Sequence, residues 1–358
     1  MRSLTTISLS FILVTACIDP IDFETDSNAD GNIVIDALIT DKEESSRVII
    51  SKSVPYSEYV SNTTLSKMRN AHVVLSVGSN ELIFREFEPG TYIPPADFKA
   101  IDGLEYKLTI ELEDGKRYES DVNRLTNNAD IETVRKDYTF RTTLSKNNVE
   151  VSKGGVELLL DTKILDDNKY YRWQFTGTYQ IESKPELVTP VPPTCSGIDI
   201  NPETGIDEGT GICTCCICWV TESENLILSD PSFRDGQIKN VPIAFIENSE
   251  GRFEKKYHYA IDQIAISQEE YEFWRAIKTQ KEQGSLFAQQ VGKIPSNINE
   301  VGSEQGNVLG YFSVASITST SGYLTAADVP ERISVLPTLI GTCLGFDGAT
   351  NIKPPFWE

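Results

Sequence analysis

From Leu104 to Leu112 every second residue is apolar: Leu104, Tyr106, Leu108, Ile110 and Leu112 alternate with Glu105, Lys107, Thr109 and Glu111. Successive side chains of an extended chain point to opposite faces, so this period fits a strand with one buried face and does not fit a helix. Trp173, Phe175, Tyr179 and Ile181 repeat the pattern against Arg172, Gln174, Thr176, Thr178, Gln180 and Glu182. Gly177 interrupts that apolar face, as a bulge or a crossing point would. Similar short runs occur at Ile33 to Ile39, Val73 to Val77, Val156 to Leu160, Tyr257 to Ile266 and Val308 to Ile317. The expectation is a mainly β chain.

One segment departs from this period. Ser267 followed by Glu270 makes a capping box, and Tyr271, Trp274 and Ile277 follow at helical spacing. The spacing predicts one main helix over 267–283, stopped at Gly284, with Tyr271 and Trp274 as core side chains.

The chain opens MRSLTTISLSFILVTAC, with Arg2, an apolar run from Ile7 to Val14, small residues Thr15 and Ala16, and then Cys17. A positive start, a short apolar core and a small-residue cleavage site mark residues 1–16 as a secretory signal, too short to span a bilayer. Val14-Thr15-Ala16-Cys17 resembles the bacterial lipobox, which implies cleavage before Cys17 and acylation (palmitate-type chains) of that cysteine. Several acyl chains anchor durably, because each buried methylene contributes roughly 0.8 kcal/mol. Asp19, Asp22, Glu24 and Asp26 make residues 17–30 an acidic tether, a loose likeness to the export signal of surface-exposed lipoproteins in Bacteroidetes.

Loss of residues 1–16 removes Arg2 and no acid, so the formal charge goes from −21 to −22. A surface this acidic repels nucleic acid. With Cys17 spent on lipid, Cys195, Cys213, Cys215, Cys216, Cys218 and Cys343 remain. An even number in an oxidising envelope reads as three disulfides of unknown pairing. Adjacent Cys215 and Cys216 bond each other only with strain, so they are expected to reach different partners. A metal cage fits less well: the spacing C-x-C-C-x-C lacks paired C-x-x-C knuckles, and His72 and His258 lie in unrelated segments.

About two domains suit the remaining length. The polar stretch Thr126 to Asp130 separates an expected sandwich at 31–125 from a larger β-rich part at 131–358. In the first, AHVVLSVG, GTYIPP and GLEYKLTIELEDGKRYES look like an immunoglobulin-like or transthyretin-like module. In the second, residues 184–218 carry Pro185, Pro190, Pro192, Pro193 and Pro202 and cannot form a central strand. They read as a long excursion pinned by disulfides, in which Pro192, Pro193 and the neighbouring Trp219 offer rigid binding contacts.

Chemical motifs are sparse. Asp26, Asn28 and Asp30, followed by Gly31, match the first half of a calcium loop, but Ala37 stands where the bidentate glutamate belongs. We therefore expect no metal, and no cofactor. The sequence carries no nucleophile elbow, no zinc-helix motif and no phosphate or dinucleotide loop. A glycosidase-like carboxylate pair leaves no sequence signature, and with 53 acidic residues any single one reads as solvated surface.

The stretches CWVTESENLILSDPSFRDGQI, YEFWRAIKTQKEQGSLFAQQVGKIPSNINEV and VLGYFSVASI, with the ending KPPFWE, resemble an uncharacterised family of Bacteroidetes outer-membrane lipoproteins catalogued as a domain of unknown function. That family's tail often carries a second cysteine soon after the one matching Cys343, whereas Leu344-Gly345-Phe346-Asp347 supplies none. The departure implies that Cys343 pairs with the 213–218 cluster or with Cys195. Members are encoded beside TonB-dependent receptors. The resemblance implies an outer-membrane, surface-facing, non-catalytic accessory subunit of such a β-barrel transporter. An envelope-assembly or adhesion lipoprotein is the alternative, ahead of a surface hydrolase.

Overall fold

The computed structural model describes residues 32–53, 67–145, 147, 149–165, 168–184, 198–200, 207–209, 216–231, 236–282, 294, 296–303, 308–340 and 342–357. The first strands are β1 (Ile33–Thr40), β2 (Arg47–Lys52), β3 (His72–Val77), β4 (Asn80–Glu88), β5 (Thr91–Ile93), β6 (Glu105–Glu111), β7 (Arg117–Ser120) and β8 (Asn123–Arg124). Then come β9 (Ile131–Leu144), β10 (Glu150–Lys163), β11 (Tyr171–Glu182), β12 (Ile198–Ile200), β13 (Asp207–Gly209), β14 (Ile217–Leu228), β15 (Gln237–Glu247) and β16 (Tyr257–Ala265). Helix α1 (Gln268–Glu282) is followed by β17 (Ile298–Glu300), β18 (Val308–Ala315), β19 (Ile317–Leu324) and β20 (Ala349–Thr350). The chain is mainly β, as its periodicity predicts.

In the first unit the sheet order is β17-β7-β6-β3-β4-β5-β2-β1-β18, with β8 beside β6. Strand β4 joins the two halves: Asn80 to Phe84 pair with β3, and from Arg85 onward it pairs with β5. Alternate residues of both halves meet in one core, among them Ile35, Ile50, Leu75, Leu108, Ile110 and Phe312. The alternation read at 104–112 holds from Tyr106 onward, with Tyr106, Leu108, Ile110 and Leu112 buried, whereas Leu104 lies before β6 and is exposed. The tyrosines also bind loops, since Tyr92 donates to the Met68 carbonyl and Tyr106 accepts from the Ile101 N–H.

Two strands from the far end of the chain complete the unit expected at 31–125. β18 runs parallel to β1 in the register Ile33↔Val308 to Thr40↔Ala315, and β17 pairs with β7. Gly310, at φ +112, allows this approach, because a Cβ there would lie 1.9 Å from the Ile35 carbonyl oxygen. At Ser316 the chain leaves this sheet and enters the next as β19, so the run read as one strand from Val308 to Ile317 is split.

The second unit stacks the sheet β15-β10-β9 on the sheet β19-β16-β11-β14-β20. Between them lies a core built on Leu158, Leu160, Trp173, Tyr179, Tyr257 and Ile261. β11 is central, so even its polar side, at Arg172 and Thr178, is buried. Strands β11 and β14 form the base of the long excursion, with Ile181 opposite Cys218.

The polar stretch 126–130 is stitched into the junction of the two units. Thr126 N–H donates to the Val314 carbonyl, and the Asn128 amide donates to the carbonyls of Gln263 and Ser316. Gln263 in turn donates to Asn128, Ala129 and Thr162 and accepts from the Trp173 indole. Helix α1 packs here, Tyr271 joining Leu38, Ile264, Ile266 and Ala315 in a third cluster against which Trp274 rests. Ser267 caps the helix as expected, accepting from Glu270 N–H at 3.1 Å. The Glu270 carboxylate does not return to Ser267; it accepts from Ser313 Oγ at 2.7 Å and Trp274 Nε1 at 3.0 Å. Burial raises its pKa, and the Arg172 guanidinium, stacked on Trp274 at 4.3 Å, opposes that rise.

Candidate functional site

On one side of the second sandwich the outer edges of β14 and β15 face each other across a cleft of about 550 Å³. Among the described residues, β20 pairs with β14 only at Trp219 and Val220, and β15 pairs only with β10. Glu222, Ser223 and Glu224 form one wall, and Pro242 to Phe245 with Glu247 form the other. Arg141 and Lys153, from the β9-β10 hairpin, stand at the rim. A second hollow of about 420 Å³ shares Glu224 and Pro242 and reaches Lys278 and Lys281 of α1.

The floor is a turn. Glu250 and Gly251 both have positive φ, and Arg252 N–H closes the turn on the Ser249 carbonyl, which aims the Arg252 side chain back at β14. Its guanidinium donates to Glu222 from Nη2 at 3.0 Å and from Nε at 3.3 Å, and it reaches Glu250 at 3.1 Å. Burial pulls its pKa down, but the hydrogen bonds and charge of Glu222 more than reverse this and hold it above its ordinary value. Tyr257 donates to Glu222 at 2.5 Å. Burial, then the charge of Glu222, push the phenol well up, so it remains a donor.

Local sequence explains this geometry in part. Gly177, the interruption in the apolar face of β11, is the seat of the Tyr257 ring: a Cβ there would meet the phenol oxygen at 1.7 Å. Tyr257 also stacks on Tyr179, centroids 6.1 Å apart, and Arg252 lies over Tyr179 at 5.3 Å.

Each ionised group of the cleft has an opposite partner. Arg141 bonds Glu157 at 2.5 Å and covers the Phe245 ring at 4.5 Å. Lys153 meets Glu247 at 2.9 Å, and Lys281 meets Glu224 at 3.6 Å. None of these residues carries a motif; the sequence pointed to Gly177 as an interruption and to Phe175 and Tyr179 only as apolar-face residues of a strand.

The residues chosen from sequence fall elsewhere. Cys17, Asp26, Asn28, Asp30, Pro192, Pro193, Cys195, Cys213 and Cys215 lie outside the described residues. Cys218 and Cys343 form a disulfide with Cα atoms 5.8 Å apart, and Cys216 is also disulfide-bonded. Trp219 is 7% exposed, and its N–H has no acceptor among the described residues. It is thus a packing residue here and offers no exposed contact. Among the described residues no group of three His, Cys, Asp or Glu side chains is placed to hold a metal ion, and no helix is long and apolar enough to cross a membrane.

The KPPFWE ending has a structural role. Phe356 stacks on His258 at 4.0 Å, and Trp357, buried under Lys256, donates to Gln180 at 3.2 Å. Comparison with curated proteins and with solved structures finds no match. The family model described as "Domain of unknown function (DUF4249)" matches residues 18–321. That span covers most of the chain, including the whole of the first unit's sheet and the cleft, and the protein belongs to the DUF4249 family.

Proposed function

We propose that this chain is an outer-membrane lipoprotein, acylated at Cys17 and facing the cell surface, that serves as a non-catalytic binding or accessory subunit of a TonB-dependent transporter. The cleft carries the choice of binding over catalysis. General acid–base chemistry needs a group poised to gain or lose a proton beside the reacting atom. Here Glu222, Glu224, Glu247 and Glu250 each face a lysine or an arginine, so each carboxylate is already engaged in an ion pair. The bonded Cys216, Cys218 and Cys343 support an oxidising compartment, and the lipobox-like start supports the anchor. Co-purification of the tagged full chain from solubilised outer membranes tests the reading. Recovery of a stoichiometric β-barrel receptor is the expected result, and recovery of the chain alone, where known receptor complexes survive, refutes it.

The adhesion reading draws on a different feature. Phe140 and Leu144 on one face of the β9-β10 hairpin, and Val149 and Val151 on the other, are from 37% to 67% exposed towards its end. Attachment defects in a strain with these four residues replaced by serine, with receptor co-purification unchanged, would favour it.

A further inference from the structure

We propose that the cleft between β14 and β15 takes a neutral, polyhydroxylated ligand, an oligosaccharide without charged groups. The inference rests on reading the cleft as a binding site and names its ligand class.

Charge comes first. Arg141, Lys153 and Arg252 are each engaged by a carboxylate, of Glu157, Glu247 and Glu222 respectively. An ionic ligand has to place its own charge beside the like charges of these pairs, since each cation already has its carboxylate. A hydroxyl does not have to: it donates to a spare lone pair of a paired carboxylate and accepts from a spare N–H of a paired guanidinium. The pairs also hold the donors and acceptors in place before the ligand arrives, so less freedom is lost on binding.

The walls decide against an extended peptide. A polypeptide would bind such strand edges by adding a strand, which needs a regular edge with free N–H groups. β15 presents Pro242, which has no N–H, and its pairing with β10 shifts register between Leu158 and Leu159 and again between Leu160 and Thr162. β14 shifts register against β11 between Trp173 and Phe175. Bulges and proline are how sheet edges resist strand addition. What remains is a polar trough whose lining includes two aromatic rings, Phe175 and the Phe245 ring under Arg141. Sugar rings, with polar rims and C–H faces, match both features.

The test uses the oxidised full chain, immobilised, against three probes of similar length: neutral glucan and mannan hexamers, a hexamer of galacturonate, and an uncharged Ala-Ser peptide. Expected is binding of a neutral hexamer, no binding of galacturonate or peptide, and at least tenfold weaker binding in Arg141→Ala. Glu247→Lys leaves Lys153 unpaired and should admit galacturonate while weakening the neutral hexamer. Far-ultraviolet circular dichroism and the unfolding midpoint of each variant separate misfolding from lost binding. Preference for galacturonate or peptide in the unaltered chain overturns the inference. Silence towards every probe does so too, and if receptor co-purification persists then only the ligand class has failed. Loss of co-purification alongside saccharide binding would instead sink the accessory reading and leave this one standing.

Discussion

Replacing Gly177 by alanine tests the packing that builds the cleft floor. The added methyl would lie 1.7 Å from Tyr257 Oη and 2.4 Å from its Cζ, distances no real Cβ keeps. Tyr257 has no exposed surface, so the ring has no solvent to swing into. Overpacking of this kind costs about 1–3 kcal/mol. Displacing the phenol also breaks its bond to the Glu222 carboxylate, a charged acceptor, for about 1.5–3 kcal/mol. Alanine restricts the unfolded chain and returns about 0.4–1 kcal/mol. The net expectation is a loss of roughly 2–5 kcal/mol. Urea unfolding of the oxidised full chain measures it. Gly345→Ala serves as control, since a methyl there meets nothing within 4 Å. Tyr257→Phe removes the nearest clashing atom, so the double substitution should cost less than the sum of the singles by about 1 kcal/mol or more. Full additivity, or a Gly177→Ala loss below about 0.5 kcal/mol, would refute the reasoning.

The Cys218–Cys343 bond closes a separation of 125 residues, so replacing both cysteines by serine should cost about 2–5 kcal/mol. Unfolding midpoints would show it, and the difference from the unaltered chain should vanish in reductant. Burial, assisted by Lys256, lowers the pKa of His258 below its ordinary 6.5. The unfolded chain then takes the proton more readily, so this contribution is intact above pH about 6.5 and is lost as pH falls through that value towards the folded pKa. His258→Gln should flatten the drop in urea midpoint between pH ~7.5 and ~5.5, and an equal drop in both proteins would count against this assignment. Finally, a fragment of residues 31–125 lacks Ile298, Val308, Phe312 and Val314, which belong to its core. It should show no cooperative unfolding by circular dichroism, and fusing 294–315 to it should restore one.

Much of the fold is legible in short windows. Burial of alternate residues at 105–112, the helix beginning at Ser267, and the burial of Tyr271 all follow from spacing, because side-chain direction repeats along a regular backbone. The cleft is not legible. Glu222, Arg252 and Tyr257 come from three elements and carry no motif, and Trp219, chosen as a contact, is taken up by packing. An aromatic residue beside a strand reads the same in sequence whether its neighbour in space is solvent or a second layer. Gly177 was visible as an interruption, yet its purpose needed the ring that sits on it.

Sequence alone determined what depends on neighbours along the chain: strand period, helix start, the cysteine count and the acidic surface. Tertiary structure alone decided that β18 lies beside β1, that Cys343 meets Cys218, and that two irregular sheet edges enclose a cleft of compensated charge. Such pairings bring together residues far apart in sequence. What selects them is burial and register summed over whole sheets, a quantity no local stretch of residues contains.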